Sequence, residues 1–143
     1  MTNREHSKED ILEAINVANE ALYHLEDAEK ALAKAKNWGI VDILGGKLII
    51  TGIKRDYMNK ANQSIAMAEG ALDALNDRLK ALGQRFTMHY FSDSGVVDYL
   101  FDNFVLDIVT QNQIKKVYNE VLNTIAQVEG ILDGLEHVVA EYV

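Results

Sequence analysis

The chain has 143 residues, a formal net charge of -8, no cysteine and no proline. This length suffices for one domain with a sizeable core, and the lack of cysteine excludes disulfides and thiolate metal sites. Most of the charge lies beyond Arg85, where nine acidic residues accompany two lysines. From the length we expect a single domain over residues 1–143. Because an acidic surface repels phosphate backbones, we also expect that this domain binds no nucleic acid.

The first predicted helix spans residues 11–36. Ser7 and Asp10 have the spacing of a capping box before it, and Asn37 and Gly39 are typical of a helix end. Its apolar seam is Ile11, Ile15, Ala18, Leu22, Leu25 and Leu32, and alanines recur beside the seam at Ala14, Ala21, Ala28 and Ala35. A face this broad is typical of a helical bundle, and its alanine edge lets a neighbouring helix come close.

Residues 38–53 are the most apolar part of the chain. This stretch contains Asp42 and Lys47, and it is shorter than the ~20 apolar residues that a bilayer span needs. We therefore expect no membrane span and a soluble protein. Taken alone, residues 47–51 also fit a β-strand between glycines.

Two further helices are predicted from apolar residues at alternating spacings of three and four. The second uses Met58, Ala61, Ile65, Ala68, Leu72, Leu75, Leu79 and Leu82, with Gly83 as its stop. The last uses Ile114, Val117, Val121, Val128, Ile131, Leu135 and Val138.

An internal repeat relates residues 39–82 to residues 95–141. Gly-x-Val-Asp-x-Leu occurs at Gly39 and at Gly95, and Glu-Gly-x-Leu-Asp-x-Leu occurs at Glu69 and at Glu129. The segment containing Phe101 and Phe104 has helical spacing. The repeat therefore predicts that residues 40–53 are helical as well.

The repeat also singles out glycines as packing sites. Gly45 and Gly52 stand where the second copy has Phe101 and Ile108, which indicates close packing of bulky partner residues. A second line of small residues recurs in both copies: Ala66, Gly70, Ala74 and Ala126, Gly130, Gly134. This line fits either a close helix–helix contact or a solvated face.

The sequence contains none of the catalytic or ligand-binding motifs that we sought. The phosphate-binding G-x-x-x-x-G-K-[ST] loop and the G-x-G-x-x-G fingerprint are absent, and so are paired Glu-x-x-His motifs. Glu20 with His24, and Asp133 with His137, have the spacing of two metal ligands, but such helical pairs are common on exposed faces. We predict no catalytic residue, no metal and no cofactor, and the sequence favours a non-enzymatic protein.

The motif Trp38-Gly39-x-x-Asp42-x-Leu44-Gly45-Gly46, followed by an apolar helix and Asp98-x-x-x-Asp102, resembles a family of uncharacterised bacterial helical proteins. The resemblance covers roughly residues 35–140. Some relatives are labelled DNA-repair ATPases, although this sequence lacks a nucleotide-binding loop. The resemblance implies a helical-bundle fold and a bacterial cytoplasmic setting, and it implies no established activity.

The expected architecture is an all-α, coiled-coil-like antiparallel bundle of one shorter helix and two longer ones. Residues 11–36 span about 39 Å as a helix, whereas an unbroken helix over residues 40–82 spans about 65 Å. Either the long helices break, near residues 51–56 and 110–113, or a second protomer covers the excess.

The expected function is a self-associating interaction or scaffold protein, as a homodimer. The alternative is a small-molecule or lipid-binding bundle with a pocket near Trp38, Gly45, Phe101 and Phe104. The residues predicted to serve interaction or packing are Trp38, Asp42, Gly45, Gly46, Gly52, Gly70, Asp98, Phe101, Phe104, Gly130 and Gly134.

Overall fold

The structure, a computed structural model, describes the backbone of residues 2–41, 47–82, 109 and 113–141, and the side chains of residues 8–37, 53–82, 109 and 113–141. These residues form three helices: α1 (Thr2–Val41), α2 (Lys47–Leu82) and α3 (Ile114–Ala140). None of them is in a strand. The all-α prediction is confirmed. None of the three helices, over its described residues, contains an apolar stretch that could span a bilayer.

Helix α1 is longer than predicted at both ends. It begins at Thr2, so Ser7 lies inside the helix instead of capping it, and it continues through Gly39 to Val41. Both predicted ends were wrong for the same physical reason. A cap or an interior glycine changes helix stability by only ~1 kcal/mol, and no proline is present to force a stop.

Helix α2 begins at Lys47 and runs without interruption to Leu82, the residue before Gly83. Residues 47–53 are therefore helical, as the repeat predicted, and the strand interpretation of residues 47–51 was wrong. The alternative of a break near residues 51–56 does not hold, because α2 is continuous through them. Residues 40–82 are not one helix, because α1 takes residues 40 and 41 and α2 starts afresh at Lys47.

The relative helix lengths reverse the expectation of a short first helix. With 40 residues in α1 and 36 in α2, the two helices span about 60 Å and about 54 Å. Helix α1 is therefore long enough to cover α2 along its whole length. The argument that a second protomer must cover excess helix no longer applies.

Helix α3 begins at Ile114, after Gln113 in a non-helical conformation. Val109 is also outside any helix, so the described residues on both sides of residues 110–112 are non-helical, which fits the alternative of a broken helix there. Gln113 makes no side-chain cap, but its carbonyl accepts a hydrogen bond of 2.9 Å from the Val117 N–H. At the other end, the Glu141 N–H donates to the Val138 carbonyl at 3.0 Å.

The core of α1 is an unbroken line of residues spaced by three and four. Every one of them is fully buried: Ile11, Ala14, Ala18, Ala21, Leu25, Ala28, Leu32 and Ala35. The alanines that the sequence placed at the edge of the apolar face are thus at its centre, whereas Ile15 is only half-buried. We call this line the alanine seam.

The buried faces of α2 and α3 follow the predicted spacing. All seven apolar residues predicted for α3 are buried, and Thr124 occupies the position between Val121 and Val128. In α2 the predicted residues between Ala61 and Leu79 are buried, and Met58 and Leu82 are half-buried at the ends. Helix α1 packs against both α2 and α3.

Contacts at both ends of α1 fix how the helices lie. Glu13 pairs with Arg78 at 2.6 Å, and the Lys34 ammonium lies 5.5 Å from the centre of the Tyr57 ring. The start of α1 therefore lies beside the end of α2, and the two helices run in opposite directions. Lys36 lies 5.2 Å from the Tyr118 ring centre, which places the end of α1 beside the first turns of α3.

Ala28→Leu should destabilise the protein. The extra atoms have no space at a fully buried seam position, and overpacking typically costs about 1–3 kcal/mol. The matched control is Ala126→Leu on the exposed side of α3, which should be close to neutral because leucine and alanine are both good helix formers. Urea unfolding of the two variants measures the difference, and equal effects would contradict the assignment of α1 as the tightly packed helix.

Candidate interaction surface

The predicted packing residues fall into two groups. For two of them the structure describes the backbone alone: Trp38 in α1 and Gly52 in α2. Three more lie where burial is described as well: Gly70 in α2, and Gly130 and Gly134 in α3. The others lie outside the described residues, so the structure does not test them: Asp42, Gly45, Gly46, Asp98, Phe101 and Phe104. The proposed packing of Gly45 against Phe101 therefore stays a prediction.

The small-residue lines of α2 and α3 face away from the described core. Gly70 and Gly130 are exposed, and a Cβ atom built on either would meet nothing within 4 Å. Neither glycine therefore makes a close contact between the described helices of one chain. Of the two interpretations left open by the sequence, the solvated face is the one found within the chain.

Residues at matching positions of the proposed repeat have matching burial. Ser64 and Thr124 are both buried hydroxyl residues, and Leu75 and Leu135 are both fully buried. Thr124 satisfies its hydroxyl by donating to the Glu120 carbonyl, one turn earlier, at 2.8 Å. The repeat itself stays a prediction, but the two helices present similar sides to α1.

Asn62 of α2 holds Val109, which lies five residues before the start of α3 at Ile114. Its side-chain amide donates to the Val109 carbonyl at 3.2 Å, and its amide oxygen accepts from the Val109 N–H at 2.7 Å. The amide thus pairs with both backbone groups of Val109, as a neighbouring β-strand would. No periodic pattern could have revealed this contact, because the two residues are 47 positions apart.

Asn76 is the least satisfied polar residue of the described core. Its side chain is buried, with the residue 3% exposed, and its Oδ1 has no hydrogen-bond partner among the described residues. Leaving a buried acceptor unpaired costs about 1–3 kcal/mol. An unpaired acceptor at this position lowers the local stability of α2 near Asn76.

Large apolar side chains are exposed on the outward faces of all three helices. Tyr23 is 65% exposed and Met67 is 59% exposed, followed by Leu12 at 42% and Leu122 at 36%. Leu12 and Tyr23 lie three turns apart on one line of α1, with Asn16 and Asn19 exposed between them. This outward line of α1 carries no charge, although the chain as a whole is acidic.

The described residues contain no cluster of metal-binding side chains. Among them, no group of three or more histidine and carboxylate side chains lies close enough together to hold a metal ion. His24 instead packs its ring edge-on against Tyr23, with ring centres 5.3 Å apart. The described helices form an all-α bundle, and the exposed apolar side chains on its outward faces are the candidate interaction surface.

No known protein family, curated protein or solved structure matches this chain. The resemblance to bacterial helical proteins through the motif around Trp38 stays a prediction.

Gly130→Ala should stabilise the protein by about 1 kcal/mol, because alanine is the better helix former and the new methyl group meets no atom. The reverse change at a similarly exposed site of the same helix, Ala126→Gly, should cost a similar amount. Urea unfolding measures both. Loss of stability in Gly130→Ala would mean that this glycine is packed against another surface.

Proposed function

We propose that the chain is a non-enzymatic helical scaffold protein that self-associates and presents its outer helix faces to other proteins. The observation that carries the proposal is the combination of a regular, largely apolar core with exposed apolar side chains on outward helix faces, among which the line from Leu12 to Tyr23 on α1 carries no charge. Aromatic residues and methionine are enriched at protein interfaces, and charged residues are depleted at their centres.

The length of α1 supports a scaffold role. A helix of about 60 Å that packs on two others is a rigid rod, which separates sites on its surface by fixed distances. The net charge of -8 keeps the chain away from nucleic acids, so the partners that these surfaces favour are proteins.

Sedimentation velocity and native mass spectrometry of the purified protein test the proposal. We expect a species of twice the chain mass of 16.0 kDa, with no bound small molecule. A retained small mass would instead support the small-molecule or lipid-binding alternative. A monomer at all concentrations up to about 100 μM would contradict self-association, since that limit corresponds to very weak binding.

A further inference from the structure

The outward face of α2 repeats with the same three- and four-residue spacing as its buried face. We call it the outer α2 face, and it consists of Asp56, Lys60, Gln63, Met67, Gly70, Ala74, Asp77 and Ala81. All of these residues are exposed except Ala74, which is half-buried. Arg78 does not belong to the face, because it is tied to Glu13 of α1.

We propose that a second copy of this chain docks on the outer α2 face, with the two α2 helices antiparallel about a two-fold axis between Met67 and Gly70. The inference rests on the proposed self-association and names its surface. In an antiparallel pair of identical helices, the first residue of each seam faces the last residue of the partner's seam. Met67 then faces Gly70 of the partner subunit, and Gln63 faces Ala74 of the partner subunit.

The centre of the face is complementary to itself in shape. Among the described side chains of α2, Met67 is the most exposed large apolar one, at 59%. Gly70 has open space where a Cβ would lie, so the partner's Met67 fits over it. Pairing removes both methionines from water and fills the space above both glycines. The first change adds hydrophobic stabilisation and the second adds van der Waals contacts.

Charge determines the direction of the pairing. In the antiparallel arrangement, Lys60 faces Asp77 of the partner subunit, and the two-fold axis creates this opposite-charge pair twice. A parallel arrangement would instead set Lys60 against Lys60 of the partner subunit, and Asp77 against its own copy, which is unfavourable. Four uncharged residues of the face lie between these ends, so no like charges face each other along its centre, and the exposed Asp73 lies at its edge.

The matching face of α3 provides an internal comparison. At the positions equivalent to Met67, Gly70 and Ala74 it has Gln127, Gly130 and Gly134. It therefore has the small residues of the outer α2 face without the apolar side chain that would be buried. Small residues alone do not select the surface, and Met67 is what distinguishes α2.

The first experiment compares Gly70→Glu with Gly130→Glu by sedimentation equilibrium. Both changes add one carboxylate at an exposed helix position with open space around it. Only the first places that carboxylate beneath the partner's Met67, so it should raise the dimer dissociation constant by roughly a hundredfold, as for a charge left unpaired in an interface. Gly130→Glu should leave the constant close to that of the unmodified protein.

A second experiment exchanges the two charges, which distinguishes lost pairing between subunits from a folding defect. Lys60→Asp and Asp77→Lys should each weaken the dimer by about tenfold, because each change acts at two symmetry-related pairs. The double variant restores opposite charges and should recover most of the affinity. Failure of the double variant to recover, with its helical circular dichroism intact, would overturn the antiparallel pairing.

Cross-linking tests the direction of the helices. The natural chain has no cysteine, so introduced thiols are the only ones present. A mixture of Gln63→Cys and Ala74→Cys proteins should form a mixed disulfide faster than either protein forms one with itself, and the reverse preference would overturn the proposal.

The experiments distinguish a failure of the proposed docking surface from a failure of self-association. If the unmodified protein is a dimer but Gly70→Glu and Gly130→Glu affect it equally, this surface is wrong while self-association stands. If the unmodified protein is a monomer, both are wrong.

Discussion

Close packing along the alanine seam of α1 is the interaction on which the rest of the described structure depends. Alanine loses no side-chain entropy on burial, and its small size lets neighbouring helices approach closely enough for their leucines and valines to make many contacts. Because α1 packs against both α2 and α3, a change in the seam acts on both interfaces. Ile11, Leu25 and Leu32 interrupt the small residues and are among the largest fully buried side chains of the described core.

Polar contacts determine how the helices are aligned around this largely apolar core. Asn62 pairs with both backbone groups of Val109 and so sets where the chain meets α2 before α3 begins. The Glu13–Arg78 pair and the two lysine–aromatic contacts lie at opposite ends of α1 and are consistent with one register. Such exposed pairs are worth little individually, typically up to about 1 kcal/mol, so they favour one alignment while the seam provides the stability.

Periodic patterns predicted the parts of the fold that depend on burial. The seams of α2 and α3 were correct because a wrong register would expose every apolar residue at once. The ends of α1 were wrong because capping residues shift helix stability by only ~1 kcal/mol. The solvated position of the glycine lines could not be deduced, because spacing alone does not say which side of a helix has a neighbour. Asn62 was missed because pairing across 47 residues leaves no local signal, and Met67 was missed because it lies off the seam that the pattern follows.

Native-state hydrogen exchange tests the central role of α1 most directly. If the alanine seam holds the described helices together, the amides of residues 14–35 should exchange only through global unfolding, with protection equal to the unfolding free energy from urea. Residues near the end of α2 around Asn76 should exchange through smaller openings. Weaker protection for the centre of α1 than for the centres of α2 and α3 would contradict the account.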